Sequence, residues 1–87
     1  MTIKVICFGH VRTSVGKDTL EIPADSIRAS ELLEKVREMG AGDPNRGFTK
    51  FNTVVIVNGS SAFTAASDDR ILKDGDEVAL LPFSHGG

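Results

Sequence analysis

Leu72-Lys73-Asp74-Gly75-Asp76-Glu77-Val78-Ala79-Leu80-Leu81 is the stretch from which the rest of the sequence can be placed. Asp74-Gly75 is a turn signal: aspartate hydrogen-bonds nearby backbone and glycine tolerates positive φ. The apolar run that follows, Glu77 to Leu81, has the make-up of a central strand. Alternation divides it into Val78 and Leu80 on one face and Ala79 and Leu81 on the other. Thr53 to Val57 is a second dense β-prone run, closed by the turn pair Asn58-Gly59, and separates Val55 and Val57 from Val54 and Ile56. Both are expected at the centre of a sheet.

Working outward, residues 2–8 and 18–22 are short β-prone runs joined by Arg12-Thr13-Ser14-Val15-Gly16, which reads as an antiparallel hairpin with a medium loop. Ser30 precedes Glu31, Leu32, Leu33, Val36 and Met39, with Gly40 behind them. That is an N-cap candidate, an acid in the first turn, an apolar stripe and a glycine stop, the pattern of one amphipathic helix of about three turns. Its other face carries Glu34, Lys35, Arg37 and Glu38, a solvated charge run. Residues 40–52 hold three glycines and a proline and predict a long surface loop. The order β-β-α-β-β predicts an α+β domain over residues 1–82, a mixed sheet covered on one face by a single main helix.

At 87 residues this is one domain with little left over for an elaborate active site. Ten basic against twelve acidic residues, with no Trp or Tyr, supply neither the positive field nor the stacking rings of a nucleic-acid binder. Cys7 is the single cysteine, so no internal disulfide or thiolate metal set forms, and a reducing cytoplasm is the expected location. The apolar run from Thr2 to Phe8 contains Lys4 and is far short of a signal or membrane-spanning segment, so no membrane partner is expected. Asn58-Gly59-Ser60 spells a glycosylation triplet but reads as a turn. Asp68, Asp69, Asp74, Asp76 and Glu77 are interrupted by Arg70 and Lys73 at spacings unlike a calcium loop, and read as solvated turns.

Alternation also leaves a face to spare. If Lys4 points to water, Ile6 and Phe8 join it outside while Ile3, Val5 and Cys7 point in, making Cys7 an inert core thiol. One helix covers one set only, so Ile6, Phe8, Val54, Ile56, Ala79 and Leu81 form an uncovered apolar face, more than a monomer usually leaves in water. A protein-binding face is expected; the alternative is that the 40–52 loop or a second copy of the chain covers it.

After Pro82 the sequence runs Phe83-Ser84-His85-Gly86-Gly87. A proline that stops strand pairing, then five residues, gives an arm reaching up to about 17 Å. Two glycines at its tip can thread a channel where a Cβ would collide. A carboxylate is a poor acyl donor, so chemistry at Gly87 requires activation, for which attack on the α-phosphate of ATP is the simplest route. His85 is a lone histidine with weak support as a metal ligand. No phosphate-binding glycine loop or paired catalytic set is present, so no cofactor is expected to bind and ATP belongs to a partner enzyme.

These features resemble the ubiquitin-like sulfur carriers, a family that includes the small subunit of molybdopterin synthase and the thiamine-pathway carrier. The residues that carry the resemblance are Ile3-Lys4-Val5 through Phe8 with Val11-Arg12, Ser30-Glu31-Leu32-Leu33, Val55-Ile56-Val57-Asn58-Gly59, Leu72 to Ala79, and the terminal Gly86-Gly87. The resemblance implies a β-grasp fold with the first and last strands parallel at the centre. It further implies that Gly87 is adenylated by an E1-like adenylyltransferase and sulfurtransferase and carried as a thiocarboxylate. By matching position Phe8 and Leu81 resemble apolar contacts with such partners, with Phe63 beside them, which agrees with the uncovered face that adds Ile6 and Ile56 as expected partner contacts. This sequence has Phe83 where members serving molybdopterin synthase commonly show a second proline. Its length and the 40–52 loop still favour that type, whose partner is the large synthase subunit. Thiamine, tRNA or amino-acid sulfur transfer, protein modification through Gly87, and a non-covalent adaptor acting through the sheet face are the competing readings.

Overall fold

The computed structural model describes residues 1–39 and 52–82. The expected 40–51 part of the loop and the 83–87 tail lie outside the described residues. Along the chain come β1 (Thr2–Cys7), α1 (Gly9–Val15), β2 (Thr19–Pro23), β3 (Ser26–Arg28), α2 (Ala29–Met39), β4 (Thr53–Val57), β5 (Ser61–Thr64), β6 (Ile71–Lys73) and β7 (Glu77–Pro82). Five strands form one sheet in the order β2-β1-β7-β4-β5, and β3 pairs with β6 in a separate ribbon. β1 and β7 are parallel and the other pairs antiparallel, the mixed sheet of a β-grasp.

The Leu72–Ala79 stretch shows why β7 falls beside β1. Asp74 Oδ1 accepts from the Thr2 amide at 2.7 Å, the Gly75 amide donates to the Thr2 carbonyl at 3.0 Å, and the Lys4 amide donates to the Asp76 carbonyl at 3.1 Å. Asp76 Oδ2 closes the turn on the Lys73 amide at 2.8 Å, and Gly75 sits at φ +90°, a conformation a side chain would oppose. The Asn58 side chain accepts from the Glu77 amide at 2.9 Å and donates to Asp76 Oδ1 at 3.2 Å. Its amide is thus occupied in joining the β4–β5 turn to the start of β7.

The face assignment holds. Ile3, Val5, Cys7, Val55, Val78 and Leu80 are buried together with Leu32, Leu33 and Val36 of α2. Thr53 to Val57 and Glu77 to Leu81 are indeed the inner strands β4 and β7. At about 25 cal/mol per Å² of apolar surface, each fully buried Leu, Ile or Val contributes roughly 1.5–3 kcal/mol before entropy is subtracted.

Several expectations are corrected. The loop foreseen at Arg12–Gly16 is the second half of helix α1 and its cap. Val11 and Val15, four residues apart, are both buried, and that burial outweighs the roughly 0.5 kcal/mol helix penalty of a β-branched residue. Gly16 ends the helix at φ +84°, its amide donating to the Arg12 carbonyl at 2.8 Å. Ser30 is not the N-cap of α2 but lies within its first turn. Its amide and hydroxyl donate to the two oxygens of Asp69 at 2.8 and 2.9 Å, so a carboxylate from 39 residues away meets the positive end of the helix. Met39, expected in the apolar stripe, is 46 % exposed at the last helical position.

Candidate functional site

The surface of interest is the side of the sheet that α2 does not cover. Ile6 lies opposite Thr19 on β2 and Ala79 on β7; Ala79 lies opposite Ile56 on β4, and Ile56 opposite Ala62 on β5. These residues make one row across all five strands. The next row toward the end of β7 holds Leu81, Val54 and Thr64. Phe8 is extended at φ −127° and ψ 157°, and its amide donates to the Leu80 carbonyl at 3.0 Å. It carries the alternation of β1 one residue further and stands on the side of Ile6, beside Leu81. Phe8 is 45 % exposed, while Ile6, Val54, Ile56, Ala79 and Leu81 are half-buried. At the other end of the sheet, Lys4, opposite Glu21 and Glu77, bounds the apolar rows with charge.

Of the residues expected to meet partners, Phe8, Ile6, Ile56 and Leu81 are brought together here. Phe63 is not. It pairs with Val55, a core position, so its ring lies on the opposite face, packed against the core with the Arg70 guanidinium 4.0 Å above it. The four-residue β5 has no sequence signature of its own, and without its register the orientation of Phe63 is open. Phe83, Ser84, His85, Gly86 and Gly87 lie outside the described residues.

Pro82 ends β7 immediately after Leu81, so the root of the tail adjoins the apolar rows. Gly9 lies against it: a Cβ on Gly9 would stand 2.7 Å from Pro82 Cγ and 2.9 Å from Cδ. Sequence reasoning passes over Gly9. The signal available is a glycine two residues after a strand and two residues before a buried i, i+4 valine pair.

The acidic turns are engaged inside the chain. Asp74 and Asp76 hold backbone amides, Asp69 holds Ser30 and pairs with Arg28 at 3.9 Å, and Asp68 pairs with Arg70 at 2.5 Å. Among the described residues no group of three His, Cys, Asp or Glu side chains could hold a metal ion, and no helix is long and apolar enough to cross a membrane.

Cys7 is the one cysteine in the sequence, and its setting is that of a core thiol. It is 2 % exposed, and burial, with a smaller contribution from the Asp18 carboxylate, pushes its pKa from 9.0 up to about 11. The native thiol is therefore expected to resist an aromatic disulfide reagent near neutral pH and to react only as the chain unfolds. The folded chain keeps this proton to higher pH than the unfolded one. Stability is thus untouched below about pH 9 and falls as pH rises toward about 11. Urea midpoints compared across that window in wild type and Cys7→Ala check this, the variant lacking that part of the decline.

The sequence matches the ThiS family over residues 5–87. It is 34 % identical over 85 residues to the molybdopterin synthase sulfur carrier subunit of Escherichia coli K12, covering 98 % of this chain and 99 % of that one. A Pyrococcus furiosus protein assigned as molybdopterin converting factor, subunit 1, is similar at a TM-score of 0.65 and 28 % identity, over 97 % of this chain and 99 % of that one. SAMP1 of Haloferax volcanii shares the fold at a TM-score of 0.71 and 17 % identity, with both chains fully covered. With a mixed sheet whose first and last strands run parallel under one main helix, and a sequence match that reaches the final Gly-Gly, the chain belongs to the ThiS family of ubiquitin-like sulfur carriers.

Proposed function

We propose that this chain carries sulfur as a thiocarboxylate on Gly87 and delivers it in molybdopterin biosynthesis. The observation that carries the reading is the adjacency of Leu81 and Pro82: the last residue of the apolar face is followed at once by the root of the five-residue tail. A partner seated on Phe8, Ile6, Ile56 and Leu81 therefore holds the start of the segment whose end must reach its active site.

In the first step a Gly87 carboxylate oxygen attacks the α-phosphorus of ATP held by an E1-like enzyme, and pyrophosphate leaves. The acyl-adenylate carbonyl is then attacked by hydrosulfide or an equivalent sulfur donor. AMP departs with the original oxygen, leaving the thiocarboxylate. The carrier contributes a terminus and a docking face, while the phosphate site and the proton-transfer groups belong to the partner. Similarity to the Escherichia coli sulfur carrier subunit makes the large subunit of a molybdopterin synthase the favoured acceptor. A protein modifier would use the same adenylate; the relatives of that kind share only the fold, at 17 and 20 % identity.

A chain extended by two alanines after Gly87 tests the reading. The expected result is full binding to the activating enzyme with loss of ATP–pyrophosphate exchange. Exchange at the wild-type rate would overturn the proposal.

A further inference from the structure

Asn58-Gly59 reads in the sequence as a turn, and the carrier function makes no use of it. An asparagine followed by glycine also has a chemistry of its own. The glycine nitrogen, with no side chain to hinder its approach, attacks the asparagine Cγ and expels the side-chain nitrogen as ammonia. Both residues are exposed to water. Asn58, at φ +51°, is the one non-glycine at positive φ among the described residues, and Gly59 follows at φ +74°.

The fold engages this side chain elsewhere. Asn58 Oδ1 accepts from the Glu77 amide at 2.9 Å and Nδ2 donates to Asp76 Oδ1 at 3.2 Å, while the Asn58 backbone amide donates to the Glu77 carbonyl at 2.7 Å. Three hydrogen bonds thus join the end of β4 to the start of β7 through one residue. For Cγ to swing back to the Gly59 nitrogen, both side-chain bonds must break. Asp76 is not free to follow, because its Oδ2 accepts from the Lys73 amide at 2.8 Å.

We propose that Asn58 is a modification site gated by this junction: it stays an amide while β4 and β7 are joined, and converts spontaneously to aspartate or isoaspartate when the junction opens. In the first step the Gly59 nitrogen bonds to Asn58 Cγ. Its proton passes through solvent to the departing side-chain nitrogen, which leaves as ammonia, and a five-membered imide remains. Water then opens the imide. Breaking the bond from Cγ to nitrogen gives aspartate; breaking the bond from the main-chain carbonyl carbon to nitrogen gives isoaspartate, with the main chain one methylene longer.

Neither product restores the original junction. A carboxylate at position 58 has no proton to offer Asp76 Oδ1, so two negative groups stand where a donor and an acceptor were 3.2 Å apart. The longer backbone of isoaspartate also displaces the turn from β4 into β5. β4 and β7 are the strands that supply Val54, Ile56, Ala79 and Leu81 to the face α2 leaves uncovered, so the change falls on the strands that carry most of that face. The chemistry is independent of whether the chain carries sulfur.

The experiment follows the mass of the peptide containing Asn58, with the aspartate and isoaspartate forms separated, in the full chain kept in buffer and in concentrated urea. Since two side-chain hydrogen bonds must break first, the amide is expected to survive about 10- to 100-fold longer in buffer than in urea. Asp76→Ala removes one of the two and is expected to speed the loss about 3- to 10-fold in buffer, with no change in urea. Val36→Ala, at a buried position of α2, lowers stability without removing any of these bonds and is expected to convert more slowly in buffer than Asp76→Ala. Aspartate occupies positive φ as asparagine does, so a lowered urea midpoint for Asn58→Asp reports the lost bond and the added charge. Equal rates in buffer and urea, no conversion in urea, or Val36→Ala as fast as Asp76→Ala would overturn the proposal. An unchanged midpoint for Asn58→Asp would overturn the claim that the modified junction does not re-form. If Asp76→Ala does not fold, wild type in buffer against urea and the Asn58→Asp midpoint still decide.

Discussion

Leu81→Asp is expected to weaken binding to the activating enzyme by about 100-fold or more, with little change in the melting temperature of the free chain. Leu81 is half-buried, lies opposite Val54, and sits between the apolar row of Ile6, Ala79 and Ile56 and the tail root at Pro82. In the free chain an aspartate there can turn to water. In a complex that covers the face, its charge is desolvated without a partner, at a cost of several kcal/mol. Since about 2.7 kcal/mol corresponds to 100-fold in Kd, the loss should be unmistakable by titration calorimetry. Glu34→Ala, on the exposed side of α2, is the comparison that should leave Kd unchanged. An unaltered Kd for Leu81→Asp would remove the sheet face from the docking account.

One position earlier, the same residue type has the opposite task. Leu80→Ala is expected to cost about 2–5 kcal/mol of folding free energy. Leu80 is 0 % exposed, pairs with Cys7 on one side and Val55 on the other, and joins the cluster under α2. Truncation loses its transfer energy and leaves a cavity between two central strands that cannot close on it independently. Domains are stable by only about 5–15 kcal/mol, so this one substitution removes a large share. A urea titration with unchanged slope and a lower midpoint would show it, and a loss under about 1 kcal/mol would mean that β7 is not the centre of the core. Leu80 and Leu81 together turn the face assignment into an experiment: the first should fail in stability and bind if folded, the second should fold and fail to bind.

That assignment is legible in the sequence because period-two alternation is unambiguous once a charged residue fixes one strand. Lys4 does this for β1, and the Asp74-Gly75 turn locates the start of β7. Helix α2 is legible from Leu32, Leu33 and Val36. The group that meets its first turn is not, because Asp69 is 39 residues from Ser30 and only the folded β3–β6 ribbon brings them together. Helix α1 escapes a sequence reading for a different reason. Two buried valines four apart make a single turn of periodicity, too little to separate a seven-residue helix from a loop before a glycine. Strands of three or four residues such as β3, β5 and β6 carry no periodicity of their own, and they form because neighbouring elements present an edge or a partner. The expectation for Phe63 fails through that gap. Gly9 escapes notice because its partner Pro82 lies 73 positions away and meets it only through the parallel pairing of β1 with β7.

The central claim is that the reactive sulfur sits on the terminal carboxylate and that Cys7 is a structural thiol. Its most direct test is the intact mass of the chain after incubation with ATP, a sulfide source and the activating enzyme, compared with a chain lacking Gly87 and with Cys7→Ala. The full chain and Cys7→Ala are both expected to gain the mass difference of one oxygen exchanged for sulfur, assigned to Gly87 by fragmentation, and the truncated chain to gain nothing. Sulfur found on Cys7, or an unchanged mass while the enzyme converts its own carrier, would contradict it.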